Sequence, residues 1–417
     1  MNRRLLELVV LALCAFLLSQ ALLSMILAPG ATPAEGNPVW RTILSVSYLS
    51  VALILVPYYR ETLYVIRRNW PLASLIALML VSCVWAYIPS LVLRRSIAAL
   101  GATLFGLALS IRLSLKDQLR FLSWLFRIVG LLSLACVILA PGRGILDGEW
   151  RGIFQHKNIL GSMMALSVLV EWHLPTDTLP SRILNILTLV LSAVLLIFSR
   201  SATPAIALIG AIAFLAVYRV AVRRFRIPRY AILLATFLMI ASSISVFLWH
   251  SETVMGALGK SSDLTGRTEI WSGALSFVQE HPLLGYGYWG FWSGASPDSS
   301  ALERVMGTSI MYSHNGYLEI LLTLGAVGFV LVLAFLACGI KRAYECSRHN
   351  PFGVDLWPLA FLLFLVLHNI GECTILVQDL EWSLCVATVI STDAALFAPV
   401  YEQEAEDLVL NPNQGLT

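Results

Sequence analysis

The sequence predicts an all-α polytopic membrane protein with about twelve transmembrane helices. The chain has 417 residues, of which 58% are hydrophobic and only 13% are charged, whereas a soluble globular protein carries about 25% charged residues. Apolar runs of about 20 residues, the length that a helix needs to cross the hydrocarbon core of a bilayer, recur along the chain. A buried core needs less apolar material than this, so we expect the excess to face lipid.

We predict twelve spans from these runs. They lie at about 5–27, 42–58, 71–89, 95–111, 121–140, 159–174, 183–198, 205–220, 230–249, 316–340, 356–375 and 380–397. The first run is longer than the apolar region of a signal peptide, which has about 7–15 residues, so we interpret it as a transmembrane helix. We expect residues 1–400 to form a single integral membrane domain, followed by a cytoplasmic tail, 401–417.

The basic residues of the loops predict the orientation, because short cytoplasmic loops carry an excess of Lys and Arg. With the N-terminus inside, alternate connections place 17 of the 28 Lys and Arg residues on the inner side and 10 on the outer side, with Arg127 inside a span. We therefore predict that both termini are cytoplasmic.

The longest loop, at about 250–315 between the ninth and tenth spans, then lies outside. Within it, the segment Arg267–His281 has the periodicity of an amphipathic helix, and Pro282 ends that helix. The residues of its apolar face are Ile270, Ala274, Phe277 and Val278. We expect this helix to lie on or against the membrane bundle rather than to cross the membrane.

Polar residues that could carry chemistry occur at the predicted outer ends of the spans. They are Arg151, the run His156–Asn158, Arg200, Arg267, and His314 with Asn315. Arginine stays charged near lipid and grips phosphate oxygens with paired donors, and histidine can exchange a proton near neutral pH. This set predicts a cavity for a phosphate-bearing substrate. The structural alternative is that the arginines reach lipid headgroups and that the histidine is satisfied by its neighbours.

Two ionisable residues, His368 and Glu372, are spaced to share one face of the eleventh span near its outer end. Ionisable groups in a span usually face a cavity or one another. A structural pair and a substrate contact are both open interpretations.

Tryptophans and cysteines favour structural roles. We expect Trp40, Trp289, Trp292 and Trp382 to be anchors at the membrane interface. The seven cysteines include no CxxC pair and no Cys/His cluster, so the sequence indicates neither a disulfide framework nor a zinc site.

Four segments together carry a family resemblance. In chain order they are WRGIFQHKNILG, FSRSATP, GRTEIWSGALSFVQEHPLLGYG and SHNGYLEILLTLGAVG. The last is the most specific, with Gly325 and Gly328 following His314 and Asn315. Through these segments the chain resembles the O-antigen polymerase/ligase superfamily (Wzy/WaaL type), and within it the exopolysaccharide polymerases of the ExoQ type, over roughly residues 75–395.

The resemblance implies a GT-C-like integral membrane glycosyltransferase. Such a protein takes an oligosaccharide from undecaprenyl diphosphate at the periplasmic face of the bacterial inner membrane. The resemblance further implies inversion at the anomeric carbon, with no metal ion and no other cofactor. The implied ligands are the undecaprenyl-diphosphate-linked oligosaccharide and membrane lipids. A flippase and a chain-length regulator are expected partners, and nucleic acid is not.

The resemblance also implies roles for individual residues. Arg267 and Arg200 would neutralise the departing diphosphate, and His314 would act as base or orient the acceptor. The expected substrate-binding residues are Arg151, Asn158, Asn315 and Glu372. The chain departs from the family pattern at Lys157, where many relatives carry a smaller residue.

Several functions fit these observations. A polymerase that joins repeat units and a ligase that moves the glycan to lipid A–core would use the same donor. The polymerase is favoured, because the boundary segments resemble those of polymerases more. A transporter of the same glycan lipid would place polar sites near the bilayer midplane, often in paired repeats. A non-catalytic assembly subunit would not need the histidine element.

Overall fold

The structure, a computed structural model, describes residues 3–21, 38–224, 265–292, 296–307, 310–348 and 353–393. Most of these residues are helical, and six of the described helices are long and apolar enough to cross a membrane by length and composition. The predicted fold class is confirmed: the chain is an all-α, multi-pass membrane protein.

The described residues form fourteen main helices, numbered here in chain order. The first eight are α1 (Arg3–Leu18), α2 (Pro38–Leu55), α3 (Tyr59–Arg68), α4 (Trp70–Val81), α5 (Pro89–Arg112), α6 (Leu115–Leu139), α7 (Lys157–His173) and α8 (Leu179–Ser199). The others are α9 (Ala202–Arg224), α10 (Thr265–Glu280), α11 (Pro297–Met306), α12 (Gly316–Ser347), α13 (Trp357–His368) and α14 (380–393). A two-stranded hairpin, β1 (Ile145–Leu146) and β2 (Glu149–Trp150), joins α6 to α7.

Eleven of the twelve predicted spans coincide with helices, and the ninth, 230–249, lies outside the described residues. The eleventh is shorter than predicted, because α13 ends at His368. There the side chain of Asn369 accepts hydrogen bonds from the backbone N–H groups of Thr374 and Ile375, at 2.9 and 3.1 Å. These bonds stabilise a turn in place of further helix, so Glu372 lies in the loop that connects α13 to α14.

The centre of the bundle is formed by α7 and α13. Helix α7 packs against α6, α8, α9 and α13, and α12 packs against α4, α10 and α13. The middle of α13 is buried on all sides, from Pro358 to Leu365, whereas α8 exposes Ile186, Leu187 and Val190. A helix that is apolar all round belongs inside the bundle, and the exposed apolar face of α8 is the surface expected to meet lipid.

Two buried carboxylates in the bundle, those of Glu171 and Asp393, are paired with arginines. Arg127 of α6 lies 3.1 Å from the Glu171 carboxylate, and Asn185 donates to the same carboxylate at 2.7 Å. Asp393 accepts a hydrogen bond from Arg68 at 2.8 Å. Burying a charge is costly unless it is paired and hydrogen-bonded. We therefore infer that each of these two ion pairs stabilises the packing of the helices that it connects.

The prediction that four tryptophans anchor the protein at the interface is wrong for three of them. Trp40, Trp292 and Trp382 are buried, and the indole of Trp382 donates to Thr103 Oγ1 at 2.9 Å. The indoles of Trp292 and Trp382 donate to partners inside the protein rather than to a headgroup. Trp289 is partly exposed, and its role as an anchor stays a prediction.

Helix α10 confirms the predicted amphipathic helix. Ile270 and Ala274 are buried, and Phe277 and Val278 pack against the same apolar cluster. The helix ends at Glu280, two residues before Pro282, the predicted stop. Its apolar face rests on α12, so α10 lies against the bundle as expected.

The loop that follows α10 is joined to a break in α12. Gly325 interrupts that helix with a left-handed φ of 63°. The backbone N–H groups of Ala326 and Val327 donate to the carbonyls of Pro282 and Leu283, at 2.8 and 3.2 Å. Carbonyl groups of the loop therefore accept the N–H groups that have no partner within the helix at its break. A membrane span requires this, because lipid offers no hydrogen-bond partner to the backbone.

Glycine is needed on both sides of this junction. A Cβ atom on Gly325 would overlap the backbone of Leu283, and one on Gly285 would lie 2.6 Å from the carbonyl oxygen of Leu322. Both residues also have positive φ, which glycine adopts without strain. The spacing of glycines in the sequence thus has a structural cause.

Candidate functional site

The candidate site is centred on the Glu372 carboxylate, which is 6% exposed. Its Oε1 accepts a hydrogen bond from Asn158 Nδ2 at 2.5 Å and lies 3.6 Å from Arg267 Nη2. Its Oε2 lies 3.9 Å from His314 Nδ1. Four residues that the sequence selected therefore meet at one place, although Asn158 and Glu372 are more than 200 positions apart in the chain.

Asn158 is positioned by the start of α7. The side chain of His156 caps this helix by accepting from the Asn158 N–H at 3.2 Å. The side-chain oxygen of Asn158 accepts from Ser201 Oγ at 2.9 Å, while its amide N–H reaches Glu372. The sequence placed Asn158 in a run of polar residues, and the structure shows that it bridges the α8–α9 turn to the α13–α14 loop.

Arg267 enters the site from the first turn of α10. Its Nη1 donates to the carbonyl of Gly371 at 2.9 Å, and its side chain is 17% exposed. The carbonyl and the neighbouring carboxylate hold one edge of the guanidinium. This arrangement suits an arginine that binds an anion with its remaining donors, because the planar fork has five N–H groups.

His314 precedes α12 in a left-handed backbone conformation, with φ 52°. Asn315 caps the helix by accepting from the N–H groups of Tyr317 and Leu318, both at 3.1 Å. The N–H of Gly316 donates to the carbonyls of Asn369 and Glu372, both at 2.9 Å. The loop with Glu372 and the loop with His314 are thereby tied through their backbones.

The aromatic ring of Tyr312 lies against the imidazole of His314, with ring centroids 4.1 Å apart. Burial raises the pKa of the Tyr312 phenol well above its usual range, and the nearby Glu372 carboxylate adds to this rise. Tyr312 therefore stays neutral at physiological pH. Its ring forms one wall of the site, and sequence reasoning had not selected it.

Arg200 lies at the end of α8, next to the serine that contacts Asn158. It has a left-handed conformation with φ 52°, and its side chain is exposed. Its neighbour Ser201 belongs to the hydrogen-bond network through Asn158, so the backbone of Arg200 lies next to that network. Its binding of a diphosphate stays a prediction.

Arg151 lies outside this network. Its Nε donates to the carbonyl of Arg143 at 2.8 Å and its Nη1 to the carbonyl of Gln155 at 3.4 Å. Lys157 lies 2.7 Å from the carboxylate of Glu149 in β2. These contacts stabilise the hairpin before α7, so the structure gives both cations a local bracing role.

The helix face that His368 and Glu372 were expected to share does not form. His368 Nδ1 lies 3.0 Å from Glu381 Oε2 and its Nε2 lies 3.0 Å from Ser162 Oγ. The two residues share a helix face only if α13 continues, and it ends at His368. Glu372 instead lies in the loop beyond the helix, where its carboxylate is 3.6 Å from Arg267 Nη2, and its contact with substrate stays a prediction.

Sequence reasoning also missed Glu319 and Trp271, which contact the backbone of Ser313. The carboxylate of Glu319 accepts from its N–H at 2.9 Å, and the Trp271 indole donates to its carbonyl at 2.8 Å. A signal for Glu319 was present, because it is an acidic residue in the first turn of an apolar span. Nothing in the spacing identifies Trp271.

Within the described ranges, no group of three or more His, Cys, Asp or Glu side chains is placed to hold a metal ion.

Two comparisons with known proteins found similar sequences. Residues 187–333 match the family model described as O-antigen ligase. The resemblance to the O-antigen polymerase/ligase superfamily is confirmed. The chain is also 27% identical over 133 residues to the exopolysaccharide production protein ExoQ of Rhizobium meliloti (strain 1021). That match covers 30% of this chain and 30% of the length of the relative.

The matched family segment contains Arg200, Arg267 and His314. Asn158 and Glu372 lie outside it, on either side. The two polar residues that complete the site in space are thus supplied by parts of the chain beyond that segment.

Proposed function

We propose that the protein is a glycosyltransferase that polymerises oligosaccharide repeat units carried on undecaprenyl diphosphate. The observation that carries this proposal is the convergence of Arg267, His314 and Asn158 on the buried Glu372 carboxylate. An anion-binding group and a proton acceptor beside one carboxylate are the parts that such a transfer needs. The similarity to an exopolysaccharide production protein supports the same function.

The proposed reaction is a single displacement. A hydroxyl group of the acceptor sugar attacks the anomeric carbon of the donor and gives its proton to His314. The bond between that carbon and the diphosphate oxygen breaks, and undecaprenyl diphosphate departs with the electron pair. Attack opposite the leaving group inverts the anomeric configuration. No step requires an oxidant or a reductant.

The charged residues have separate tasks in this scheme. Arg267, aided by Arg200, stabilises the negative charge that develops on the diphosphate, as donors aimed at the leaving group should. Glu372 stabilises the imidazolium that forms on His314 and orients Arg267. Asn158 holds the carboxylate in place. We propose that the arginines take the part that a divalent cation plays in other transferases.

We place this site at the periplasmic face of the inner membrane, with both termini in the cytoplasm. The distribution of Lys and Arg among the loops supports this orientation, since it puts the loop with α10 and α11 outside. The donor would then enter laterally from the outer leaflet. A flippase that delivers it and a chain-length regulator would be the working partners.

A ligase is the second candidate. The description of the matching family, O-antigen ligase, favours it, whereas the relative's name points to exopolysaccharide production. In a ligase the same donor and the same residues would serve, but the acceptor would be lipid A–core. The two functions therefore differ in the acceptor alone.

Reconstitution separates these possibilities. The purified full-length protein is placed in proteoliposomes with the host's undecaprenyl-diphosphate repeat unit, first alone and then with lipid A–core, and products are resolved by gel and mass spectrometry. A ladder of repeat multiples without added acceptor is the expected result. Product that requires lipid A–core would identify a ligase. Failure of both, when a characterised transferase works on the same lipids, would contradict the proposal and favour a glycan-lipid transporter.

A further inference from the structure

One buried carboxylate and two indoles hold the residue that precedes His314. Glu319 is 3% exposed, and its oxygens accept the indole N–H of Trp292, each at 2.9 Å. The same carboxylate accepts the backbone N–H of Ser313 at 2.9 Å. From the opposite side, the Trp271 indole donates to the Ser313 carbonyl at 2.8 Å. Both backbone groups of Ser313 are thus held by side chains.

A carboxylate buried in the first turn of a span is costly to desolvate. Helix capping does not explain it, because Asn315 already accepts the N–H groups of Tyr317 and Leu318 at the start of α12. The carboxylate instead accepts hydrogen bonds from the Trp292 indole and from the backbone of the loop. What it stabilises is therefore the path of the chain through His314.

That path is an uncommon one. His314 has a left-handed backbone conformation, which few residues other than glycine adopt. Ser313 is held on one side, and on the other Asn315 is committed to the helix cap. With both neighbours held, the imidazole is left with little freedom beyond rotation of its own side chain.

We propose that Glu319 is a positioning residue that, with Trp271 and Trp292, holds His314 in the orientation that accepts the acceptor proton. This inference rests on the proposed function. Trp271 lies one turn after Arg267 on α10. Its hydrogen bond to Ser313 therefore also fixes the position of the anion-binding Arg267 relative to His314. Displacement of a reacting group by about 1 Å can lower a rate by about 100-fold, so such positioning has a measurable effect.

The test uses Glu319→Gln in the full-length protein. Glutamine keeps the shape of the side chain, but it presents one acceptor to two donors, the Trp292 indole and the Ser313 N–H. Glu345→Gln, in the last turns of the same helix, is the matched control. Trp271→Phe is a second variant that removes the bond to the Ser313 carbonyl and leaves Glu319 intact.

Two readouts are taken on each variant. Hydrogen exchange measured by mass spectrometry reports on the peptide that contains Ser313, and we expect exchange to be about tenfold faster when the bond is lost. Turnover with the repeat-unit donor should fall by about 10- to 100-fold in kcat, with KM for the donor within about twofold of wild type. The control should change neither quantity.

Each outcome decides the inference. Faster exchange with a lower kcat in Glu319→Gln or in Trp271→Phe supports it. Unchanged exchange in both variants overturns it, and so does faster exchange with unchanged kcat. If Glu319→Gln does not fold, Trp271→Phe decides by the same criteria. A wild-type protein that forms no product would overturn the proposed function and with it the catalytic role of Glu319, while the exchange data would still show whether Glu319 holds the loop.

Discussion

Replacement of Glu372 by glutamine tests the centre of the site with the smallest change in shape. The glutamine oxygen can still accept the hydrogen bond from Asn158, which is 2.5 Å long in the wild-type protein. The negative charge beside Arg267 and His314 is lost. We therefore expect the site to remain folded while the imidazolium that forms during the reaction loses its counter-charge.

The magnitude follows from the distance of 3.9 Å between His314 Nδ1 and Glu372 Oε2. Two unit charges about 4 Å apart interact by about 4 kcal/mol at an effective dielectric constant of about 20. Arg267 shares the carboxylate, so we assign half of this energy to the imidazolium. A loss of about 2 kcal/mol in the transition state lowers kcat by about 30-fold.

The assay measures initial rates of repeat-unit transfer in proteoliposomes at saturating donor. Glu280→Gln is the matched control, because Glu280 is exposed at the end of α10 and its contact is a hydrogen bond accepted from the Tyr286 hydroxyl at 3.2 Å. A glutamine can still accept that bond, so the control should retain wild-type kcat. Turnover of Glu372→Gln equal to that of the control would refute the role of the carboxylate.

Four further outcomes are expected. His314→Ala should reduce kcat by at least about 100-fold, because a general base contributes about 10²- to 10⁴-fold to the rate, and donor binding should be nearly unchanged. Normal rates in a stably expressed variant would exclude His314 as the general base. Arg267→Lys should lower kcat/KM for the lipid-linked glycan by about tenfold or more, since lysine lacks the paired N–H groups that grip a phosphate. Full activity would argue that Arg267 does not bind the diphosphate. Gly325→Ala should lower the free energy of unfolding by about 2–4 kcal/mol, because the added methyl group strains the backbone and overlaps Leu283. Gly142→Ala is the control and should not be destabilising, because no atom lies within 4 Å of its added Cβ. Equal melting temperatures for the two variants would contradict the junction described between α12 and the loop after α10. Transfer should persist after dialysis against EDTA, as rates with and without the chelator will show, and a loss restored by Mg²⁺ would contradict the proposal that arginines replace the metal.

Much of the fold was predictable because the bilayer restricts what a chain can do. Each span must satisfy its backbone internally, so a run of about 20 apolar residues is a helix almost by necessity. The apolar face of α10 was equally legible, because four residues at helical spacing leave few alternatives. Arg267 and His314 could be selected because cationic and titratable side chains at the end of an apolar run need a reason to be there.

The tertiary structure alone decided which polar groups meet. Glu372 could turn toward Arg267 only because α13 ends at His368, seven residues before the predicted end of the span, where Asn369 stabilises a turn. Asn158 and Glu372 are separated by 214 positions, yet their side chains are 2.5 Å apart. No local pattern encodes such a contact, since it depends on how α7, α13 and the loop between α13 and α14 pack together.

The sequence by itself determined that this chain is a helical membrane protein with cationic and titratable groups at the ends of its spans. Hydrophobic length and periodicity are local properties, and they can be read residue by residue. The structure decided that Arg151 braces a hairpin, that His368 pairs with Glu381, and that Glu319 holds the loop of His314. Those assignments depend on distances between segments remote in sequence, and only the packed bundle sets such distances.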